Sequence, residues 1–171
     1  MTTAPSTFHQ WIVRRLDRLV GIPLEDQAFA YVFTAPIGVL MPDCDPVQQI
    51  FLVRQANAAF IRERRIRGIP DLIAEVVAPS NAEQDTKIKR AIYAHVGVPE
   101  YWLVRPATRD VLRCSQPDTV LAIMSIARCL ARRPSWSLQR CRCAYPSPIC
   151  SLALPILASK PLFISCCDSS G

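Results

Sequence analysis

Apolar residues in HQWIVRRLDRLVG fall at Trp11, Ile12, Leu16, Leu19 and Val20. That spacing predicts a helix with one apolar stripe, and Gly21 predicts its stop. In FAYVFTAPIGVLM the apolar positions run on without helical period and predict two strands, broken at Pro36 because proline cannot donate to a ladder. PVQQIFLV predicts a further strand. NAAFIRERRIRG predicts a short helix or irregular crossing that ends at Gly68, with Arg62, Arg64, Arg65 and Arg67 on a solvated face and phosphate contact as their alternative role. PDLIAEVV predicts a buried strand. Ser80 and Glu83 then have the spacing of a capping box, ahead of a helix with Ile88, Ala91, Ile92 and Val96 on its apolar side and Gly97 and Pro99 at its end. EYWLV is the next strand and RDVLR begins another. This order implies an α/β domain in which strands 70–77 and 101–105 flank a crossover helix and run parallel in one sheet.

Glu75 breaks the apolar run of the strand at 70–77. Period two puts it on one face with Ile73 and Val77, while Leu72, Ala74 and Val76 take the other, so neither face is polar. An ionised carboxylate buried there costs several kcal/mol, roughly, unless a cation or a hydrogen-bond donor meets it. It is therefore either a strand-end or ion-paired structural group, or part of a site.

The length of 171 residues suits one domain with a sizeable core. No early apolar run has the length and flanks of a signal peptide, and no run is long and uncharged enough to span a membrane, so a soluble, cytoplasmic protein is expected. A net charge of +6 suggests nucleic acid, but its placement weakens the inference. Residues 1–113 hold 14 Lys and Arg against 12 Asp and Glu, whereas residues 114–171 hold 6 against 2. The composition changes at that boundary. Seven of the eight cysteines lie at or beyond Cys114, no acidic residue falls between Asp118 and Asp168, and no glycine between Gly97 and Gly171. Text such as RRPSWSLQRCRCAYPSPICS has neither helical nor strand period, which predicts a domain over 1–113 and an irregular Cys/Pro/Ser/Arg-rich tail over 114–171, of the kind a reading-frame slip produces. A zinc site or other cysteine-based metal or redox function is the alternative; Cys141 and Cys143 form C-x-C, Cys166 and Cys167 are adjacent, and no histidine follows Cys114, which is poor zinc spacing.

From Pro70 to Trp102 the chain resembles the family of Uma-type putative restriction endonucleases. The family pattern P-D-L-x-x-E-[VI]-x-[SA]-P-S is matched by Pro70, Asp71, Leu72, Glu75, Val76, Pro79 and Ser80. Its continuation D-x-x-x-K-x-x-x-Y-x-x-x-G-V-x-E-Y-W is matched by Asp85, Lys89, Tyr93, Gly97, Val98, Glu100, Tyr101 and Trp102. The resemblance implies the α/β PD-(D/E)xK restriction-endonuclease-like fold, a mixed sheet flanked by helices. It also implies hydrolysis of DNA phosphodiesters with Mg²⁺, DNA as partner, and an assembly compatible with a homodimer. Glu75 would be a catalytic metal ligand and Lys89 the catalytic amine, standing in for the lysine that many relatives keep two residues after the glutamate, where this chain has Val77. Asp71 is the second candidate ligand. The chemistry is coherent: a hard cation with oxygen ligands polarises the phosphoryl group and activates water, and an ammonium offsets the charge that develops. Bland roles stand beside these: Asp71 capping the strand's entry and Lys89 pairing with Asp85 on the helix surface.

Two departures bear on activity. Where the family keeps V-Q-P-D at its first acidic ligand, this chain reads PVQQIFLV, with Gln48 and Gln49 in place of Pro-Asp and Asp43 and Asp45 just before. Phe8 precedes His9 where relatives carry a glutamate. A neutral amide brings no charge to a cation, so the expected enzyme is a degenerate endonuclease, with an inactive relic that binds nucleic acid or a protein partner as its alternative.

Overall fold

The computed structural model of the chain describes residues 6–42, 50–78 and 83–130. Ser6 opens the first helix, its hydroxyl accepting a hydrogen bond from the His9 backbone N–H at 3.2 Å. Helix α1 spans Thr7–Leu16, widens into a π-helical turn at Asp17–Gly21 and continues as α2, Ile22–Asp26. Gly21 does not stop it. Its φ is −59°, ordinary helical backbone. What requires glycine there is space: a Cβ would lie 2.6 Å from Asp17 Oδ1 and 3.1 Å from Val32 Cγ1. Ile12, Leu16, Leu19, Val20 and Leu24 are buried along this segment.

The strands are β1 (Ala30–Thr34), β2 (Gly38–Leu40), β3 (Ile50–Arg54), β4 (Ile61–Arg62), β5 (Arg65–Arg67), β6 (Leu72–Val76), β7 (Glu100–Arg105), β8 (Asp110–Asp118) and β9 (Ile123–Leu130). Six of them make a mixed sheet in the order β1-β3-β6-β7-β8-β9. Its neighbours are antiparallel except β6 and β7, which run parallel with Glu75 opposite Leu103. That is the pair expected from the intervening crossover helix. The predicted strands either side of Pro36 both form but serve different sheets: β1 joins the large one, while β2, β5 and β4 make a second sheet of three. Gln55–Phe60 is a 3₁₀ segment, and the arginine-rich stretch after it is a hairpin, not a helix or irregular crossing. Gly68 ends the hairpin at φ +145°, where a Cβ would run into the Phe60 ring at 2.6 Å.

Helices cover both faces of the large sheet. On one face Ile12, Leu16 and Leu24 pack with Leu72, Ala74, Val76, Trp102 and Val104. On the other, Tyr93 and Ala94 pack with Phe51, Ile73, Tyr101, Leu103 and Cys114, and Val39 and Ile66 of the small sheet belong to the same cluster. The crossover helix has a π-helical turn at Gln84–Lys89 and then α3, Arg90–His95. Its buried face differs from the predicted one: Ile88 and Ile92 are exposed, while Tyr93 and Ala94 are buried. A π turn bonds i to i+5 and so advances the phase of the face relative to a plain 3.6-residue count. Ser80, the expected cap, lies outside the described residues.

β8 and β9 carry the sheet past the compositional break at residue 114, and Cys114 and Met124 are buried in the second cluster. Alternation accounts for the start of β8: Leu112 and Cys114 face that cluster while Val111 faces the other. Residues 131–171, with Cys141, Cys143, Cys166 and Cys167, lie outside the described residues. No described helix is long and apolar enough to cross a membrane.

Candidate active site around Glu75

Every residue of β6 is buried, Glu75 completely. Its side chain points to the face covered by the crossover helix, and two groups one helical turn apart on that helix meet it. Lys89 Nζ donates to Glu75 Oε2 at 2.5 Å, and the Tyr93 hydroxyl donates to Oε1 at 2.9 Å. The i, i+4 spacing of Lys89 and Tyr93 aims both side chains at one point. Tyr93 is itself fixed by an edge-on contact with Tyr101, ring centroids 4.8 Å apart. A charge in an apolar strand is thus answered locally: an ammonium meets one carboxylate oxygen of Glu75 and a phenol meets the other. Lys89 keeps 23 % of its side-chain surface exposed, so the pair borders solvent.

Asp71 is not brought to the same point. It sits four residues before Glu75, about 13 Å along an extended strand, too far for one ion to bridge. Its carboxylate closes the end of the β3–β6 ladder: Oδ2 accepts from the Arg54 N–H at 2.8 Å, and both oxygens accept from Asn57 Nδ2 at 3.0 Å. Gln48, Gln49, Asp43 and Asp45 lie outside the described residues, as does the side chain of Asp85, so its surface pairing with Lys89 has no counterpart to compare.

A Mg²⁺ ion takes near-octahedral oxygen ligands and relies on carboxylate charge. Among the described residues Glu75 is the one candidate carboxylate at this point, and Lys89 already offsets its charge. No group of three or more His, Cys, Asp or Glu among these residues could hold a metal. The described donors by themselves therefore do not fit the ion.

Two features escaped the sequence reading. Tyr93 was visible as a match to the family pattern, but its partnership with Glu75 needed the helix phase. The second is another buried carboxylate, Glu100, on the opposite face. Its Oε1 accepts from Arg113 Nε at 2.7 Å and from the Trp102 indole N–H at 2.6 Å. The faint signal was Glu100-x-Trp102, two polar-tipped residues at strand spacing. At the end of β7, Arg105 is held by Asp110, Nε to Oδ1 at 2.8 Å and a terminal nitrogen to Oδ2 at 2.5 Å, with Thr108 Oγ1 also on Oδ1 at 2.6 Å.

A mixed sheet with helices on both faces, and a strand carboxylate paired with a lysine from the crossover helix, define a protein of restriction-endonuclease-like architecture. The chain belongs to the Uma2 family, described as putative restriction endonuclease, whose family model matches residues 1–141. Its fold is also that of a crystal structure described as a putative nuclease belonging to DUF820 from Anabaena variabilis ATCC 29413, with a TM-score of 0.63 at 15 % identity, covering 91 % of this chain and 79 % of that one. No curated protein matches the chain.

Proposed function

We propose that the chain is a DNA endonuclease by descent, with its hydrolytic site around Glu75, and that this site is degenerate, so that cleavage is weak or absent. The observation that carries the reading is the Lys89–Glu75 contact: a fully buried strand carboxylate joined to an ammonium that borders solvent. This arrangement supports a role for Lys89 in offsetting charge that develops on a phosphate oxygen. Glu75, itself held by the Tyr93 hydroxyl, holds the ammonium from behind. The family resemblance implies Mg²⁺, but the charge to bind it has to come from a further carboxylate. Gln49, the residue before Ile50 in the sequence, stands where the family resemblance implies an aspartate. One carboxylate already balanced by a lysine leaves little net charge for a strongly hydrated cation.

A nicking assay on supercoiled plasmid with Mg²⁺ or Mn²⁺ tests this. The chain as it stands is expected to nick weakly or not at all, and Gln49→Asp to raise the rate in a way that Glu75→Ala or Lys89→Ala removes. Robust nicking by the unaltered chain, abolished in both alanine variants, would show a complete site. Nicking that persists in Glu75→Ala would place the chemistry elsewhere.

A further inference from the structure

We propose that the β4–β5 hairpin is a docking surface for the phosphate backbone of duplex DNA, with Arg62, Arg65 and Arg67 as the groups that meet it. The substrate class rests on the endonuclease reading, whereas the surface is argued from the hairpin itself. In β5 the pattern alternates: Ile66 is fully buried and Arg65 and Arg67 are exposed. Ile66 anchors the hairpin to the same apolar cluster as Phe51, Ile73 and Tyr93, so the small sheet lies on the Glu75 side of the large one. Its arginines point away from that cluster, to solvent.

Arg62 and Arg65 are direct cross-strand partners. Like charges facing each other across a ladder destabilise it. Among the described residues, none of Arg62, Arg64, Arg65 and Arg67 forms an ion pair. Glu63, in the turn, is the single acid within residues 61–67. On its other side Arg65 is opposite Gly38 of β2, which presents no side chain to screen it. A repulsive pair on an exposed strand surface is a cost to the free protein that a polyanion would relieve. Spaced phosphates suit it, because each arginine can take one without reading sequence.

The test is fluorescence anisotropy of a labelled DNA duplex with the full chain in EDTA, so that binding is read without cleavage and separately from the nicking result. Replacing Arg62, Arg65 and Arg67 together by alanine is expected to weaken binding by on the order of tenfold and to lower the slope of log K against log salt by about 0.9 for each phosphate no longer neutralised. The triple lysine variant keeps the charges and should keep the slope. Arg62→Glu removes the repulsion with Arg65, so it should weaken DNA binding while holding or raising the thermal midpoint, which a purely structural role would not produce. Absence of duplex binding by the unaltered chain, or an unchanged affinity and slope in both the alanine variant and Arg62→Glu, would overturn the proposal.

Discussion

Glu75 and Glu100 are both buried glutamates on the neighbouring parallel strands β6 and β7, each met by a cation and an aromatic donor, yet they sit on opposite faces and in different surroundings. Glu100 is 1 % exposed and its Arg113 3 %, sealed with Trp102 on the face that α1 and α2 cover. Glu75 is equally buried, but its Lys89 is 23 % exposed. The difference shows that a buried, paired carboxylate is not in itself a site. An arginine closed in with its carboxylate cannot reach another anion, whereas a lysine at the border of solvent can turn to one without unburying its partner. Access by the cation, more than burial of the acid, separates the candidate active site from the structural pair.

The comparison can be broken by removing each cation. Arg113→Ala leaves a sealed carboxylate uncompensated and should cost about 3–5 kcal/mol, measured by urea denaturation. Lys89→Ala lets water reach Glu75, and a smaller loss of about 1–3 kcal/mol is expected. Equal losses in the two variants would make Glu75 and Lys89 a second structural pair. A finer distinction comes from Tyr93→Phe, which removes one donor to Glu75 and keeps the ring against Tyr101. It should cost about 1–2 kcal/mol, with the helix content unchanged by circular dichroism.

The smallest effect concerns Cys114, on the Glu75 face but opposite Tyr101 in the ladder. Burial pushes its thiol up from 9.0 to about 11, against a weaker opposing pull from Arg90. A raised value favours the protonated form in the folded protein. The stability it contributes is therefore complete below pH 9 and is lost as the pH climbs towards 11. Iodoacetamide labelling at about pH 8, located by peptide mapping, should modify Cys114 far more slowly in the folded chain than in urea. Rapid labelling in the folded state would mean that solvent reaches the sheet at Cys114 as well as at Lys89, so that exposure would no longer be particular to the candidate site.

Much of this was legible in the residues. Glu75 announced itself as a charge in an apolar strand, and the family resemblance carried by P-D-L-x-x-E and D-x-x-x-K-x-x-x-Y implied a role beside it for Lys89, 14 residues on. The parallel pairing of β6 and β7 followed from strand, helix and strand in order. Three things were not legible. The helix phase changed because a π turn precedes α3, which hid Tyr93 and exposed Ile88 and Ile92. The arginine stretch became a hairpin because Ile61 and Ile66 pair across it and Ile66 is buried in the core, a long-range demand on four arginines that local pattern assigned to a helix or crossing. The strands to residue 130 were masked by composition, since cysteine, serine and proline there resemble tail more than sheet.

By itself, then, the sequence determined the strand–helix–strand frame and the isolated acid in β6, because alternation and desolvation of a charge are local properties of the chain, while Lys89 was singled out by the family resemblance. Only the tertiary structure decided that Asp71 ties off a ladder beside Arg54 and Asn57, that Tyr93 shares Glu75 with Lys89, and that Glu100 finds Arg113 on the far face. Those outcomes depend on which way a side chain leaves a twisted sheet and on what packs above it, and groups 13 to 18 residues apart can satisfy a buried charge only once the sheet and the crossover helix have set their distance.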